Sequence, residues 1–387
     1  MKKIILYLLF LCATPQVILA KSYQIKSEKE FKDILSKLVA GDEVIIANGN
    51  YTNWNIEIPN KGTSAKPIFI KAQENGKIVF SGDINQTLFK LTGDYIILSG
   101  ITFKKCTLLK GGGLIELKNS VNCQITNCLF LENTVKTQFT PLVIVSGNGK
   151  NNKIDNCTFT ANVDNQDLQV KITKESCPQN TLIEKNIFTN KQKVSWKNGN
   201  GGECVQIGQD PVLLGLQEAK TIVRENKFIN CNGESEVISN KSSGNSYLKN
   251  YFENNDGELV MRGGHDCIID GNTFKGGTGG IRINGSGHTI TNNKISNIKT
   301  SIRLMYGMAK GKQEIGFYIA ASNCIINNNQ ISNATTGILV GDSKEVDWTG
   351  KFDTVRYPSP VMQSIAPFDN KISGNTFSNT KTEQVNQ

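Results

Sequence analysis

The chain has 387 residues, 43 Lys and Arg against 34 Asp and Glu, a formal charge of +9 and ten cysteines. No Cys-x-x-Cys pair occurs, which excludes a zinc ribbon. The surplus positive charge fits an anionic partner or simply a mildly basic surface, and alone it decides neither.

The N-terminus sets the compartment. Met1-Lys2-Lys3 is a basic start, and "IILYLLFLCA" is apolar but too short to span a membrane. Residues 1–20 read as a signal peptide cleaved near Ala20, so the mature chain, 21–387, is exported, periplasmic or secreted. Leu11 before Cys12 is too large for a lipoprotein site. Cleavage removes Lys2 and Lys3, leaving +7 and nine cysteines. An exported protein meets little nucleic acid, so the expected partner is an acidic polysaccharide. The expected state is a monomer without a membrane span.

Next comes "SEKEFKDILSKL". Ser27 with Glu30 three later is a capping box, and Phe31, Ile34, Leu35 and Leu38 come after it at helical spacing. From there the chain repeats itself: "ITNCLF" (Asn127), "IDNCTF" (Asn156), "IEKNIF" (Asn186), "VRENKF" (Asn226), "LKNYF" (Asn250), "IDGNTF" (Asn272), "ITNNKI" (Asn293), "INNNQI" (Asn329) and "ISGNTF" (Asn375). Each is a short apolar strand, an Asn, one variable residue, then an aromatic or aliphatic side chain. Asn226 to Asn250 to Asn272 to Asn293 gives steps of 24, 22 and 21 residues. Such a period, with Asn/Gly turns and no intervening helices, marks a solenoid. The amphipathic helix before it is expected to cover its apolar end. The reading is all-β: one domain, a right-handed parallel β-helix with an N-terminal capping helix. Each Asn is expected at a left-handed corner, bonded to the coils above and below. Leucine-rich repeats lack their leucine frame here. Several cysteines fall in phase with the repeat, which predicts buried stacked thiols. Residues 341–370 break the rhythm and are expected to form a long loop or C-terminal cap.

In a solenoid, residues one coil apart stack roughly 4.8 Å apart. Lys241 and Arg262 are 21 residues apart and Arg282 is 20 further on, so the three are expected in or near one column. Glu234 and Glu236, in "CNGESEVISNKSS", share a strand face on the coil of Lys241. "NGNGGECVQIG" brings Asn200 and Glu203 nearby. Two glutamates with an asparagine carbonyl make a hard oxygen site suited to Ca²⁺. A surface salt-bridge cluster of Glu234, Glu236 and Lys241 is the alternative.

Several long motifs then carry a resemblance: "AGDEVIIANGNY", "GTSAKPIFIKA", "NGGECVQIG", "CNGESEVISNKSSGN", "LVMRGG" and "GGIRINGSGHTITNN". In this order, over about residues 23–340, the chain resembles polysaccharide lyase family 6, the alginate lyases and chondroitinase B. The resemblance implies β-elimination on a uronic acid polymer, with Lys241 as base, Arg262 as acid and Asn200, Glu234 and Glu236 as Ca²⁺ ligands. Because arginine hardly ever gives up a proton, Arg262 is read as stabilising the leaving oxygen. The family's usual Arg-His-Gly is here Arg262-Gly263-Gly264, with His265 as a partial replacement two positions on. A family arginine is here Gln206. Arg282 is expected to grip a substrate carboxylate, His288 matches a family histidine, and Arg303 and Tyr306 are expected to wall the groove.

The leading function is an alginate lyase acting on mannuronate-containing chains. Alternatives are a glycosaminoglycan lyase acting on dermatan or chondroitin sulfate, and a non-catalytic carbohydrate-binding β-helix. A polygalacturonase-like hydrolase would need paired aspartates, and Asp266 has no partner motif.

Overall fold

The computed structural model describes residues 20–210 and 215–387. The expected signal peptide, 1–19 of it, lies outside the described residues. None of the described helices is long and apolar enough to cross a membrane. Three parallel sheets of 13, 12 and 13 strands run the length of the chain, and successive coils add one short strand to each. One coil is Ile222–Arg224, Lys227–Cys231 and Glu236–Asn240; the next is Ser246–Leu248, Tyr251–Asn255 and Glu258–Met261. This is the right-handed parallel β-helix that the repeat predicts.

The repeat explains the core. The residue two after each ladder position points inward, and Phe103, Phe130, Phe159, Phe188, Phe228, Phe252 and Phe274 form one column. Their ring centroids are 4.4–5.0 Å apart and their planes within 2–11°. The coil spacing stacks the rings face to face along the column, and their contact adds to their burial. Nine cysteines among the described residues are free and buried, as expected of stacked thiols.

The asparagine ladder differs from expectation in one respect. The left-handed residue in most repeats is the one before the Asn: Glu225 (φ 56°), Lys249 (52°), Gly271 (66°) and Asn292 (54°). The Asn itself bonds along the stack. The side-chain oxygen of Asn250 accepts from the backbone and side-chain N–H of Asn226, both at 3.1 Å, while its amide donates to Val223 O at 2.9 Å. Only in the first two motifs, one residue out of phase, does the Asn occupy the corner: Asn127 (54°) and Asn156 (50°). There Cys128 and Cys157 take the ladder place, and Cys157 N donates to Asn186 Oδ1 at 3.0 Å. Asn250→Ala removes four buried bonds, the fourth from its amide to Asn272 Oδ1 at 3.0 Å, and strands the donors of Asn226. It should lower unfolding free energy by about 3 kcal/mol, read as a shift in urea midpoint at unchanged slope.

The capping helix, Glu28–Leu35, begins as expected: Ser27 Oγ accepts from Glu30 N at 3.2 Å. Glu30 reaches back one residue further than a capping box does, to Lys26 N at 2.8 Å. Phe31 and Leu38 are buried in the end of the core, with Ile34 and Leu35 packed half-buried beside them.

Two excursions leave the coil after Thr300, in the C-terminal part of the solenoid. One runs between Thr300–Met305 and Ile325–Asn327; the other joins Thr336–Asp342 to the last coil, starting at Lys371–Ser373. The rhythm break at 341–370 is therefore a long loop, as one of the two expectations had it. It folds back onto the first excursion: Phe352 stacks on Phe317 at 4.4 Å and Trp348 meets Tyr318 at 5.2 Å. Together they wall one face of the 12-stranded sheet.

Candidate active site

That sheet carries the site. Lys241 follows strand Glu236–Asn240 and Arg262 follows Glu258–Met261. Lys241 N donates to Ile207 O at 2.8 Å and Arg262 N to Asn240 O at 3.0 Å, so the two sit one coil apart in one column. Arg282 does not join that column. The next coil is 22 residues long (Val260 pairs with Arg282), and Arg282 pairs onward with Arg303 in the adjacent column. The position above Arg262 belongs to Asn284, whose N–H bonds Met261 O at 2.7 Å.

Beside Lys241 lie Glu203, Glu234 and Glu236, all buried, with one oxygen of each within 4.8 Å of the others. Glu203 is the addition to the predicted set of Asn200, Glu234 and Glu236. Gln206 and Gln166 hold it, donating to its two oxygens at 2.7 and 2.9 Å. Gln206 thus orients an acid, and its own oxygen accepts from Gln169 at 2.6 Å. Glu234 accepts from the amides of Gly201 and Gly202. Burial, then the charges of Glu203 and Glu236, push its carboxyl well above the ordinary range despite those amides. Burial also acts on Glu236, but Arg282, Arg262 and Lys241 outweigh it and hold the carboxyl down to about 2. Arg282 forms a direct ion pair with Glu236. Asn200 is on the exposed rim of the same cleft.

The donor set fits a hard cation: all oxygen, three carboxylates, an amide at the rim. Glu234 supplies the specific observation, since its neighbours destabilise its charge and two amides do not offset them. A cation between the three carboxylates would relieve that repulsion.

Lys241 is buried yet faces the cleft, and its amine makes no hydrogen bond or ion pair among the described residues. Burial and then Arg262 lower its pKa below that of an ordinary lysine, against the opposing pull of the glutamates. Arg262 is flanked by rings: its guanidinium carbon lies 4.7 Å from the Phe317 centroid and 4.9 Å from that of Tyr318. This cation–π setting keeps the charge in place while leaving its edge to the cleft. Trp348, Phe352 and Tyr357 continue the wall.

Four predicted substrate contacts lie outside the cleft lining. His288 is fully buried at a coil corner, where other coils use Asn245 and Asn370. Its Nδ1 accepts from Cys267 N at 3.1 Å and its Nε2–H faces Asn284 O at 3.1 Å. His265 packs under Gly215, where an added Cβ would come within 2.6 Å of Nε2, so it does not replace the family histidine at Gly263. Arg303 is held by Glu258 and, at 2.8 Å, by Asp342. Tyr306 is buried, and its carbonyl accepts from Asn284 and Gln363 at 3.2 and 2.8 Å.

Burial, with a smaller push from His265, lowers the His288 pKa to about 4. The folded state therefore resists protonation that the unfolded chain accepts near pH 6.5. Stability from this group is full above that pH and is lost as pH falls towards 4. Between pH 7 and 5 it should decline by about 2 kcal/mol. Urea midpoints of wild type and His288→Asn at both pH values test this: the variant should lose that part of the slope.

The model of the chondroitinase B family matches residues 25–386. Among solved structures, a family 6 polysaccharide lyase from Pseudopedobacter saltans superposes with a TM-score of 0.78 at 24% identity, covering 93% of this chain and 85% of that one. A mannuronic acid specific family 6 lyase from human gut microbiota gives 0.78 at 27% identity, covering 94% and 82%. The family 6 alginate lyase AlyGC gives 0.77 at 25% identity, and this chain spans 53% of its length. No curated protein sequence matches the chain. With the family model spanning nearly the whole described solenoid, the chain belongs to the chondroitinase B family, polysaccharide lyase family 6.

Proposed function

We propose that this chain cleaves alginate at mannuronate by β-elimination, meeting its polymer outside the cytoplasm. The observation that supports it most is the unpaired Lys241 amine, lowered in pKa, beside an acid cluster and two guanidinium groups in one cleft. The mannuronic acid specific relative at 27% identity favours this polymer.

The residue types suit the reaction. The C5 proton of a uronate is weakly acidic because its carboxylate already carries charge. Glu203, Glu234 and Glu236, with Asn200 at the rim, would hold a Ca²⁺ ion. When bound, that ion neutralises the substrate carboxylate and stabilises the charge that builds on it. Lys241, as the free amine, takes the C5 proton. Arg262 faces the leaving oxygen at C4 and stabilises the negative charge it gains. Arg282 stays on Glu236 and fixes the orientation of that carboxylate. The aromatic wall excludes water from one side of the sugar.

Elimination leaves a conjugated double bond that absorbs in the ultraviolet; hydrolysis does not. Incubation with alginate and, separately, dermatan sulfate, each with Ca²⁺ and with chelator, tests the proposal. A rise on alginate that chelator abolishes is expected. A rise on dermatan sulfate alone would replace the substrate with a glycosaminoglycan, the reading that the chondroitinase B match favours. No rise on either polymer from folded protein would overturn the elimination reading.

A further inference from the structure

Glu203 is held differently from the two glutamates beside it. Arg282 pairs with Glu236, and backbone amides meet Glu234. Among the described residues the Glu203 carboxylate is bonded by two glutamine side chains alone. Gln206 Nε2 donates to one oxygen at 2.7 Å and Gln166 Nε2 to the other at 2.9 Å. Both glutamines turn their oxygens to Gln169, whose amide nitrogen donates to Gln166 Oε1 at 3.0 Å and to Gln206 Oε1 at 2.6 Å. Gln169, Gln166, Glu203 and Gln206 thus close a ring of hydrogen bonds, and all four residues are buried.

Chemistry sets the direction of every bond in the ring. An ionised carboxylate only accepts, so both glutamines present their NH₂ groups to Glu203. Their oxygens are left facing Gln169, and its two N–H groups serve one each. Strand geometry sets the places. Gln169 in strand Gln166–Val170 pairs with Gln206 in Val205–Ile207, and Asp167 N holds Glu203 O at 3.1 Å. Packing does not call for a polar group here, because one coil earlier the same place in the sheet is Ile144. Apolar side chains of similar shape would fill the space with no buried amides to satisfy. The ring has its use at the Glu203 end. One donor on each oxygen stops the carboxylate turning and leaves lone pairs on both for a cation. One of those oxygens lies within 4.8 Å of an oxygen of Glu234 and of Glu236.

We propose, resting on the cation site of that reading, that Gln169 is a positioning residue for the ion: its one amide locks Gln166 and Gln206, and through them sets the plane of the Glu203 carboxylate towards the cation. Gln169 makes no hydrogen bond to Glu203 itself, so its effect is carried by the two glutamines. Without it, the oxygens of Gln166 and Gln206 lose their donor. Each amide can then turn its oxygen onto the carboxylate, which repels it, and Glu203 loses its fixed orientation.

The test is Gln169→Met in the full chain, which keeps the length of the side chain and removes the amide. Ca²⁺ affinity, measured by calorimetry with Ca²⁺ alone, should weaken roughly 10–100-fold. The Ca²⁺ concentration that gives half-maximal elimination on alginate should rise by the same factor. Gln169→Asn keeps an amide but is one methylene short of spanning both glutamines, and it should move both readings in the same direction. A double variant separates positioning from packing. In a Glu203→Gln background the ring has no carboxylate to orient, so adding Gln169→Met should change the Ca²⁺ Kd by less than about threefold. Ca²⁺ affinity within about threefold of wild type in both single variants would overturn the proposal. An equal loss in the Glu203→Gln background would also overturn it, because Gln169 would then act on the fold and not on that carboxylate. Wild type that binds no Ca²⁺ would sink the cation site and the proposal with it. Wild type that binds Ca²⁺ but eliminates on neither polymer would sink the reaction alone, and the Kd values would still decide the role of Gln169.

Discussion

Lys241→Met should lower alginate elimination by roughly 10³-fold or more, close to background. Methionine keeps the buried stem and removes the amine. The side chain is buried and its amine has no partner among the described residues, so no structural bond is lost with it. Fold and melting temperature should hold, and alginate oligosaccharides should still bind. That combination separates an enzyme from a binding β-helix, in which Lys241 could go without consequence. The pH profile gives a second reading. Only the free amine can accept a proton, and burial with Arg262 lowers the Lys241 pKa. Activity should therefore rise with pH and reach its plateau below the range where an ordinary lysine deprotonates. An active Lys241→Met would place the base elsewhere.

The fold was legible because a solenoid writes its geometry as a period. Asn226, Asn250, Asn272 and Asn293 announce coil length directly, and the phenylalanine two residues on announces the core. The column of Lys241 and Arg262 comes from that spacing. Arg282 was misplaced because coil length is not constant: 21 residues separate Ile238 from Leu259, and 22 separate Leu259 from Ile281. A 20-residue step on a 22-residue coil leaves Arg282 two residues short of the place above Arg262, in the neighbouring column of the same sheet face. Glu203 was seen near the site but not as part of the acid cluster. It lies 33 residues before Glu236 on a coil with a long insertion, so period alone could not align them. The histidines failed for another reason. A sequence shows the residue type but not that His288 fills a ladder place that Asn245 and Asn370 fill in other coils. Phe317, Tyr318 and Trp348 lie in the excursions, which have no period to read; Phe317 and Tyr318 come to lie beside Arg262, and Trp348 packs on Tyr318 where the excursions meet.

Glu234→Gln tests the cation site, and its two arms should move in opposite directions. At neutral pH the Glu234 carboxylate is destabilised by burial and by Glu203 and Glu236. A folded pKa raised above the unfolded value means the ionised form weakens the fold at neutral pH and ceases to do so in acid. Glutamine is neutral and near in shape, and its oxygen can still accept from Gly201 and Gly202. Without Ca²⁺ the variant should therefore melt at or above wild type. With Ca²⁺ the order should reverse. An ion that binds the native state at a hundred times its Kd adds about 2.7 kcal/mol, and the variant should lose most of that gain. Elimination should fall by roughly 10²-fold or more, since the substrate carboxylate would keep its charge. A surface salt-bridge cluster predicts the contrary: Ca²⁺ would leave both melting curves unmoved, and Glu234→Gln would change little. The crossing of the two stability orders is thus the decisive sign, because neither lost packing nor a lost ion pair produces it.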